Sequence, residues 1–115
     1  MSKSGRIERY RGDSYPETFT VTDAAGTPVD LEGALVRFTV KDSPHCTEAV
    51  LAKSSAQPGQ IQFLTPGTFA VCFSPAEMSN LEVRRYLYDV EVTLGDGTIH
   101  TVACDYLDIL ADVTG

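Results

Sequence analysis

The feature that most constrains this chain is an alternation of large apolar side chains with mostly polar or small ones over several short runs. In the run 35–41 the apolar phase holds Val36, Phe38 and Val40, and the positions between them are polar. The same period of two recurs in the runs 18–22, 68–73 and 85–94. Successive side chains of a β-strand point to opposite faces, so this period predicts strands with one buried face and one wet face.

Polar clusters that contain glycine, proline or aspartate separate these runs. They include Asp23-Ala24-Ala25-Gly26, Pro66-Gly67 and Gly95-Asp96-Gly97. Many short strands divided by turns are typical of an antiparallel sandwich or barrel. In 115 residues this pattern predicts one all-β domain, an immunoglobulin-like antiparallel β-sandwich with Greek-key connections, and a small barrel is the alternative. The chain has no tryptophan and therefore lacks the cysteine–tryptophan–cysteine signature of true immunoglobulin domains.

The alternation is interrupted once, at Ser74-Pro75-Ala76-Glu77. A serine followed by proline and then by glutamate at the third position is a capping box, which predicts one short helix near residues 75–82. The apolar phase of the strands predicts a core of Phe38, Val40, Phe69, Val71, Tyr88, Val90 and Leu107. Residues 11–115 are expected to form the single sandwich domain, and residues 1–10 an amino-terminal arm or short strand.

The charge balance disfavours whole classes of partner. The formal net charge is −7, and an acidic surface repels phosphate backbones, so nucleic acid is not an expected partner. No apolar run approaches the roughly 20 residues that span a bilayer. The amino terminus has no apolar stretch of the kind that a signal peptide requires. We therefore expect no membrane association and synthesis in a cytoplasm.

No combination of residues in the sequence indicates catalysis or a cofactor. The sharpest candidates for a metal site are His45, Cys46, Cys72, His100 and Cys104. Their spacing does not resemble that of compact zinc sites, in which neighbouring ligands come from one turn. We expect three unpaired thiols, no metal, no cofactor and no enzymatic activity. Several carboxylates lie on the carboxy-terminal strands, and we interpret them as solvation of the strands and protection of their edges.

A series of short motifs, taken in order, resembles a known family. The motifs are Arg11-Gly12-Asp13, Phe19-Thr20-Val21-Thr22-Asp23, Gly26-Thr27-Pro28-Val29-Asp30-Leu31, Gly33-Ala34, Val36-Arg37-Phe38-Thr39-Val40, Gly67-Thr68-Phe69, Tyr86-Leu87-Tyr88-Asp89-Val90-Glu91-Val92, Asp96-Gly97-Thr98, Thr101 and Asp112-Val113-Thr114. This order is similar to that of small β-sandwich domains encoded by tailed phages and prophages, such as amino-terminal domains of baseplate upper proteins and short tail-associated proteins. Asp105, where many relatives have a small residue, departs from the pattern.

The resemblance implies a structural component of a tailed-phage virion, located in the tail, baseplate or neck. It implies partners among other virion proteins, symmetric homo-oligomers as one mode of assembly, and localisation on the particle after synthesis in the bacterial host cytoplasm. The alternative is a non-enzymatic module that recognises a carbohydrate or protein of the host surface. Tyr10, Tyr15 and Tyr106 are the tyrosines available for an aromatic patch of that kind.

Assembly contacts are expected from the amino-terminal arm and from the least patterned loops. Lys3, Arg6, Arg9 and Arg11 make a basic arm on an otherwise acidic chain, which suits the acidic face of a neighbouring copy. The loops 42–48 and 54–59 are the second set of candidates, and His45 and Glu48 are the contact residues in the first of them. The competing interpretation is a frayed terminus and loops without a role.

Overall fold

The computed structural model describes residues 6–43 and 48–111 of the chain. Within these residues it contains eight strands and one short helix. Their bounds are β1 (Ile7–Tyr10), β2 (Glu17–Thr20), β3 (Leu35–Lys41), β4 (Leu51–Ser54), β5 (Ile61–Phe63), β6 (Thr68–Val71), α1 (Pro75–Ser79), β7 (Arg85–Thr93) and β8 (Ile99–Leu110). The predicted strand at 35–41 is confirmed at both ends.

The strands form two sheets that pack face to face. One sheet has five strands in the order β1-β8-β7-β3-β4, and the other has three in the order β2-β6-β5. The chain crosses from one sheet to the other at β1–β2, β2–β3, β4–β5 and β6–β7, and the pairs β3–β4, β5–β6 and β7–β8 each stay within one sheet. Two sheets joined by several such crossings are typical of an immunoglobulin-like sandwich. The immunoglobulin-like sandwich is therefore confirmed, and two separate sheets do not match the barrel alternative. β1 and β8 run parallel, which the prediction of an antiparallel sandwich did not include.

The core lies between the two sheets and is rich in aromatic rings. All seven predicted core residues are buried, and none is more than 3% exposed. Phe19 and Phe69 of the smaller sheet stack at 5.7 Å between ring centroids. Phe38 and Tyr88 of the larger sheet stack at the same distance. Burial of this apolar surface is the main force that holds the sheets together.

The single helix begins where the capping box predicts it. The Ser74 side chain accepts the backbone N–H of Glu77, and the Glu77 carboxylate accepts the backbone N–H of Ser74. The helix ends at Ser79, three residues before the predicted end. The reason is that the chain turns after Asn80 and places Leu81 in the core before β7 begins.

In the carboxy-terminal region the sequence contains two β-rich runs, 98–103 and 106–110, which predict two strands, and here the structure differs. The region is one strand of 12 residues, β8. A β-bulge explains the difference, because Val90 lies opposite Ala103 whereas Glu91 lies opposite Thr101. The extra residue, Val102, changes the phase of the alternation, and both Val102 and Ala103 are buried. A phase change within one strand looks in sequence like the boundary between two.

The amino-terminal region corresponds to the short strand of the two alternatives. Ile7 pairs with Leu107 and Tyr10 with Leu110, in parallel. Residues 7–10 are therefore part of the five-stranded sheet and not of a separate arm. Residues 1–5 lie outside the described part of the chain.

Replacing Phe69 with alanine should lower the free energy of unfolding by about 3–5 kcal/mol, as deletion of a buried phenylalanine usually does. The ring is fully buried and lies within 6.5 Å of both Phe19 and Phe63. Thr18→Ala on the exposed side of β2 is the matched control. Chemical denaturation measures both variants, and an equal loss for the two would contradict the position of Phe69 in the core.

Two glycines with positive φ allow a second test. Gly67 has φ +77°, and a Cβ there would lie 2.8 Å from the Val21 carbonyl oxygen and 2.9 Å from Pro28 Cβ. Gly97 has φ +92° with no heavy atom within 4 Å of that position. Gly97→Ala should therefore cost about 1–2 kcal/mol from backbone strain alone. Gly67→Ala should cost clearly more by thermal denaturation, and equal losses would rule out the close approach.

Candidate functional site

The outer face of the five-stranded sheet is the largest regular surface of the fold. The smaller sheet covers the inner face, and no described element covers the outer one. On this face, side chains of paired residues on neighbouring strands form rows across the sheet, with Leu87 beside Tyr106 and Arg85 beside Asp108. Tyr106 is 43% exposed, and Leu87 is half-buried. The face therefore combines an apolar row with charged rows.

Ion pairs neutralise much of the charge on this face. Arg85 donates two hydrogen bonds to Asp108, at 2.8 and 3.1 Å, and Arg6 lies 3.6 Å from the same carboxylate. The Arg85 guanidinium also lies 4.3 Å from the centre of the Tyr106 ring. These hydrogen bonds hold the pKa of Asp108 below its ordinary value, although partial burial acts in the opposite direction. Asp108 is thus a structural partner and not a free acid.

Asp89 occupies the middle of the outer face and behaves in the opposite way. It lies between Thr39 on β3 and Cys104 on β8. Burial raises the pKa of Asp89, and the charge of Glu91 adds to that effect, while Lys41 opposes it. The centre of the face is therefore a position where a negative charge is disfavoured.

Arg9 corrects the prediction of a basic arm. Its side chain is 1% exposed and lies between the sheets. The guanidinium is 2.7 Å from Glu17 and donates a second hydrogen bond to the Tyr15 carbonyl. It also lies 3.8 Å from the centre of the Tyr15 ring and 4.8 Å from that of Phe73. Arg9 is consequently not available for contacts with another protein.

Lys53 is a second buried cation, which the sequence analysis did not identify. Its ammonium lies 2.5 and 2.6 Å from the two Glu77 oxygens and 5.9 Å from the centre of the Phe73 ring. Burial raises the pKa of Glu77, but the hydrogen bonds from Lys53 and Ser74 outweigh it and hold the pKa below its ordinary value. The alternation could have revealed both cations, because Arg9 shares the phase of Ile7 and Lys53 that of Leu51.

The other predicted contact residues lie in different places. Arg6 remains about half-exposed at the start of β1 and pairs with Glu8 at 3.1 Å. The Arg11 guanidinium donates two hydrogen bonds, at 3.1 and 2.9 Å, to the Ser79 carbonyl at the end of the helix. Glu48 is exposed. Lys3 and His45 lie outside the described residues.

The three tyrosines considered for an aromatic patch do not lie together. Tyr10 and Tyr106 are on the outer phase of neighbouring strands, separated along the sheet by the row that contains Asp108. Tyr15 lies instead against the inward-pointing Arg9. This separation does not favour a flat platform on which a sugar ring would stack.

The candidate metal ligands and turn motifs are also placed by the fold. Cys72 and Cys104 are free thiols, and Cys46 lies outside the described residues. Within residues 6–43 and 48–111, no group of three or more His, Cys, Asp or Glu side chains is arranged to hold a metal ion. Arg11-Gly12-Asp13 forms a turn in which the Asp13 amide bonds the Tyr10 carbonyl at 3.0 Å. None of the described helical residues forms a segment long and apolar enough to cross a membrane.

Neither a protein-family description nor a curated protein sequence matches this chain. Among solved structures, the fold is similar to CopC from Methylosinus trichosporium OB3b, with a TM-score of 0.52 and 15% identity over 94% of this chain and 86% of CopC. Murine CRIg aligns over 97% of both chains at 12% identity, with a TM-score of 0.45. The similarity to CopC supports the β-sandwich fold and carries no statement about activity.

The contributions of Asp108 and Asp89 to the free energy of unfolding should change with pH in opposite directions. The lowered pKa of Asp108 stabilises the fold above the unfolded-state pKa, near 3.8, and this contribution is lost as the pH falls through the lower folded-state value. The raised pKa of Asp89 contributes stability below pH 3.8, which is lost as the pH rises through the higher folded-state value.

Asp108→Asn should therefore be less stable than the native chain at pH 7, with a difference that shrinks in acid. Asp89→Asn should become more stable relative to the native chain as the pH rises from about 3.8. Urea denaturation between pH 3 and pH 7 measures both differences, and parallel pH profiles for the two variants would contradict the assignment.

Proposed function

We propose that this chain is a structural component of a tailed-phage virion, in the tail, baseplate or neck, which acts through protein–protein contacts and not as an enzyme. The observation that carries the proposal is the combination of a rigid sandwich with exposed apolar side chains on its sheet face and strand edges. Ile99 is 60% exposed, Tyr10 51% and Tyr106 43%, all on the larger sheet. The assignment to a phage particle is supported by the resemblance of the ordered sequence motifs.

The chemistry of the described residues suits contact better than catalysis. The two buried cations, Arg9 and Lys53, are held by Glu17 and Glu77, so their charges serve the fold. A groove of about 480 Å³ lies between the sheets and is lined mainly by valine and leucine, with His100 among its polar residues.

The charge of the domain also shapes how contacts form. At −7, two copies or two acidic neighbours repel one another at long range. Attraction must therefore come from short-range terms, namely buried apolar area and backbone hydrogen bonds at strand edges. The outer face and the edges supply both.

The proposal is tested on the phage or prophage that encodes the gene. Purified particles should contain the protein in a fixed copy number by quantitative mass spectrometry, and deletion of the gene should produce particles with a defective tail, baseplate or neck in electron micrographs. Tyr106→Asp should impair incorporation into particles, because it puts a charge in the apolar row of the outer face, whereas Thr18→Asp on the other sheet is the control. Infectious particles that never contain the protein would overturn the proposal.

A further inference from the structure

Strand β8 has an unusually long free edge. β7 pairs with it along most of its length, but β1 covers only Leu107–Leu110. In the described part of the chain, no strand lies beside the stretch 99–106, which we call the open edge. At about 3.3 Å per residue this edge is roughly 26 Å long. Long uncovered edges are templates for pairing with another strand.

The backbone of the open edge is oriented for such pairing. The Ile109 amide donates to the Arg84 carbonyl on the side of β7, whereas the Leu110 carbonyl accepts the Arg11 amide on the opposite side. Because these directions alternate along an antiparallel strand, Cys104 and Tyr106 direct their backbone groups towards the open side. The Thr98 carbonyl accepts the Leu94 amide, so Ile99 and Thr101 also face the open side.

We propose that the open edge pairs antiparallel with the open edge of a second copy, which joins two five-stranded sheets into one continuous sheet. The start of β8 and the start of its pairing with β1 fix the ends of this stretch. Pairing the whole stretch with itself therefore allows one register, in which Ile99 of one copy lies opposite Tyr106 of the other. The backbone groups that face outward then meet in pairs, 99 with 106 and 101 with 104.

The side chains are complementary in this register, although the register was fixed without them. Ile99 and Tyr106, 60% and 43% exposed, lie on the outer phase and cover each other. Exposed His100 and half-buried Asp105 lie on the inner phase, where the imidazole of one copy faces the carboxylate of the other across the strands. Such cross-strand pairs are the unit of sheet stabilisation.

Two further charges fit the same arrangement. Arg6 directly precedes β1, which begins opposite Leu107 at one end of the open edge, and the hairpin that carries Asp96 precedes Ile99 at the other end. Antiparallel pairing brings the hairpin of one copy towards Arg6 of its partner, which opposes the repulsion between two acidic chains. In the single chain the Asp105 carboxylate accepts a hydrogen bond from the Tyr106 amide at 2.7 Å. Pairing replaces this bond with a hydrogen bond from the same amide to the second strand.

A second copy of this chain would be one partner for the contacts of the proposed function, and the pairing rests on the proposed function only in that sense. It is tested with the purified chain, outside any particle. A chain that stays monomeric yet enters virions would overturn the pairing and leave the virion role intact. A dimer that occurs in no virion would do the reverse.

The first test is a disulfide across the two strands. Cys46→Ser and Cys72→Ser leave Cys104 as the single thiol, and Thr101→Cys then places a second thiol opposite Cys104 of the other copy. The distance between paired Cα atoms, about 5.5 Å, suits a disulfide. Under mild oxidation, a non-reducing gel should show most of the protein as a dimer. Thr20→Cys, on an exposed position of β2, is the control and should give little disulfide-linked dimer.

Equal cross-linking of the two variants would overturn the proposal. So would evidence that another part of the chain occupies the edge. If the segment before Arg6 continued the register of β1, position 4 would lie opposite Cys104 of the same chain. In the same background, Ser4→Cys would then form an intramolecular disulfide with Cys104, detected as a monomer that has lost both thiols.

The second test is a charge exchange. His100→Asp places a carboxylate opposite Asp105 of the other copy, and the symmetry of the dimer repeats this repulsion once. The variant should therefore dimerise about tenfold more weakly in sedimentation equilibrium. Adding Asp105→His to it exchanges the two residues, restores the pairs and should restore most of the affinity. A native chain that sediments at 12.5 kDa at all concentrations, or a double variant no better than His100→Asp, would overturn the proposed register.

Discussion

The contact between aromatic rings of the two sheets is the interaction on which the rest of this structure depends. Phe19 of β2 lies 6.2 Å from both Phe38 and Tyr88 of the larger sheet and 5.7 Å from Phe69 of its own. Pairs at these separations contribute about 0.5–1.5 kcal/mol beyond the burial of their area. They join strands that are far apart in sequence, so the sandwich forms as one cooperative unit.

The two buried cations belong to the same interface. The Phe73 ring lies near both Arg9 and Lys53 and packs against Phe38 in a T-shaped pair with 5.6 Å between the ring centres. A buried charge is tolerated when carboxylates and rings replace its water. The amino-terminal strand is therefore fixed to the core through Arg9, and its position along β8 is fixed with it.

The unequal size of the sheets determines where the protein can make contacts. Three strands cover the inner face of five, and β1 is shorter than β8, so an outer face and a long edge remain uncovered by described residues. The proposed virion role and the proposed pairing of two copies both rest on these surfaces. The virion role rests in addition on the ordered sequence motifs. The similarity to CopC supports the fold and leaves the choice of partner to experiment.

The sequence by itself determined the strand period, the capped helix and the aromatic core, because each is written in local spacing, as at Phe38 and Ser74. It could not show that β8 is continuous, since the bulge at Val102 shifts the phase within one strand. The burial of Arg9 and the extent of the open edge were decided by tertiary structure. Both follow from the register between β1 and β8, and that register depends on contacts between residues about 100 positions apart.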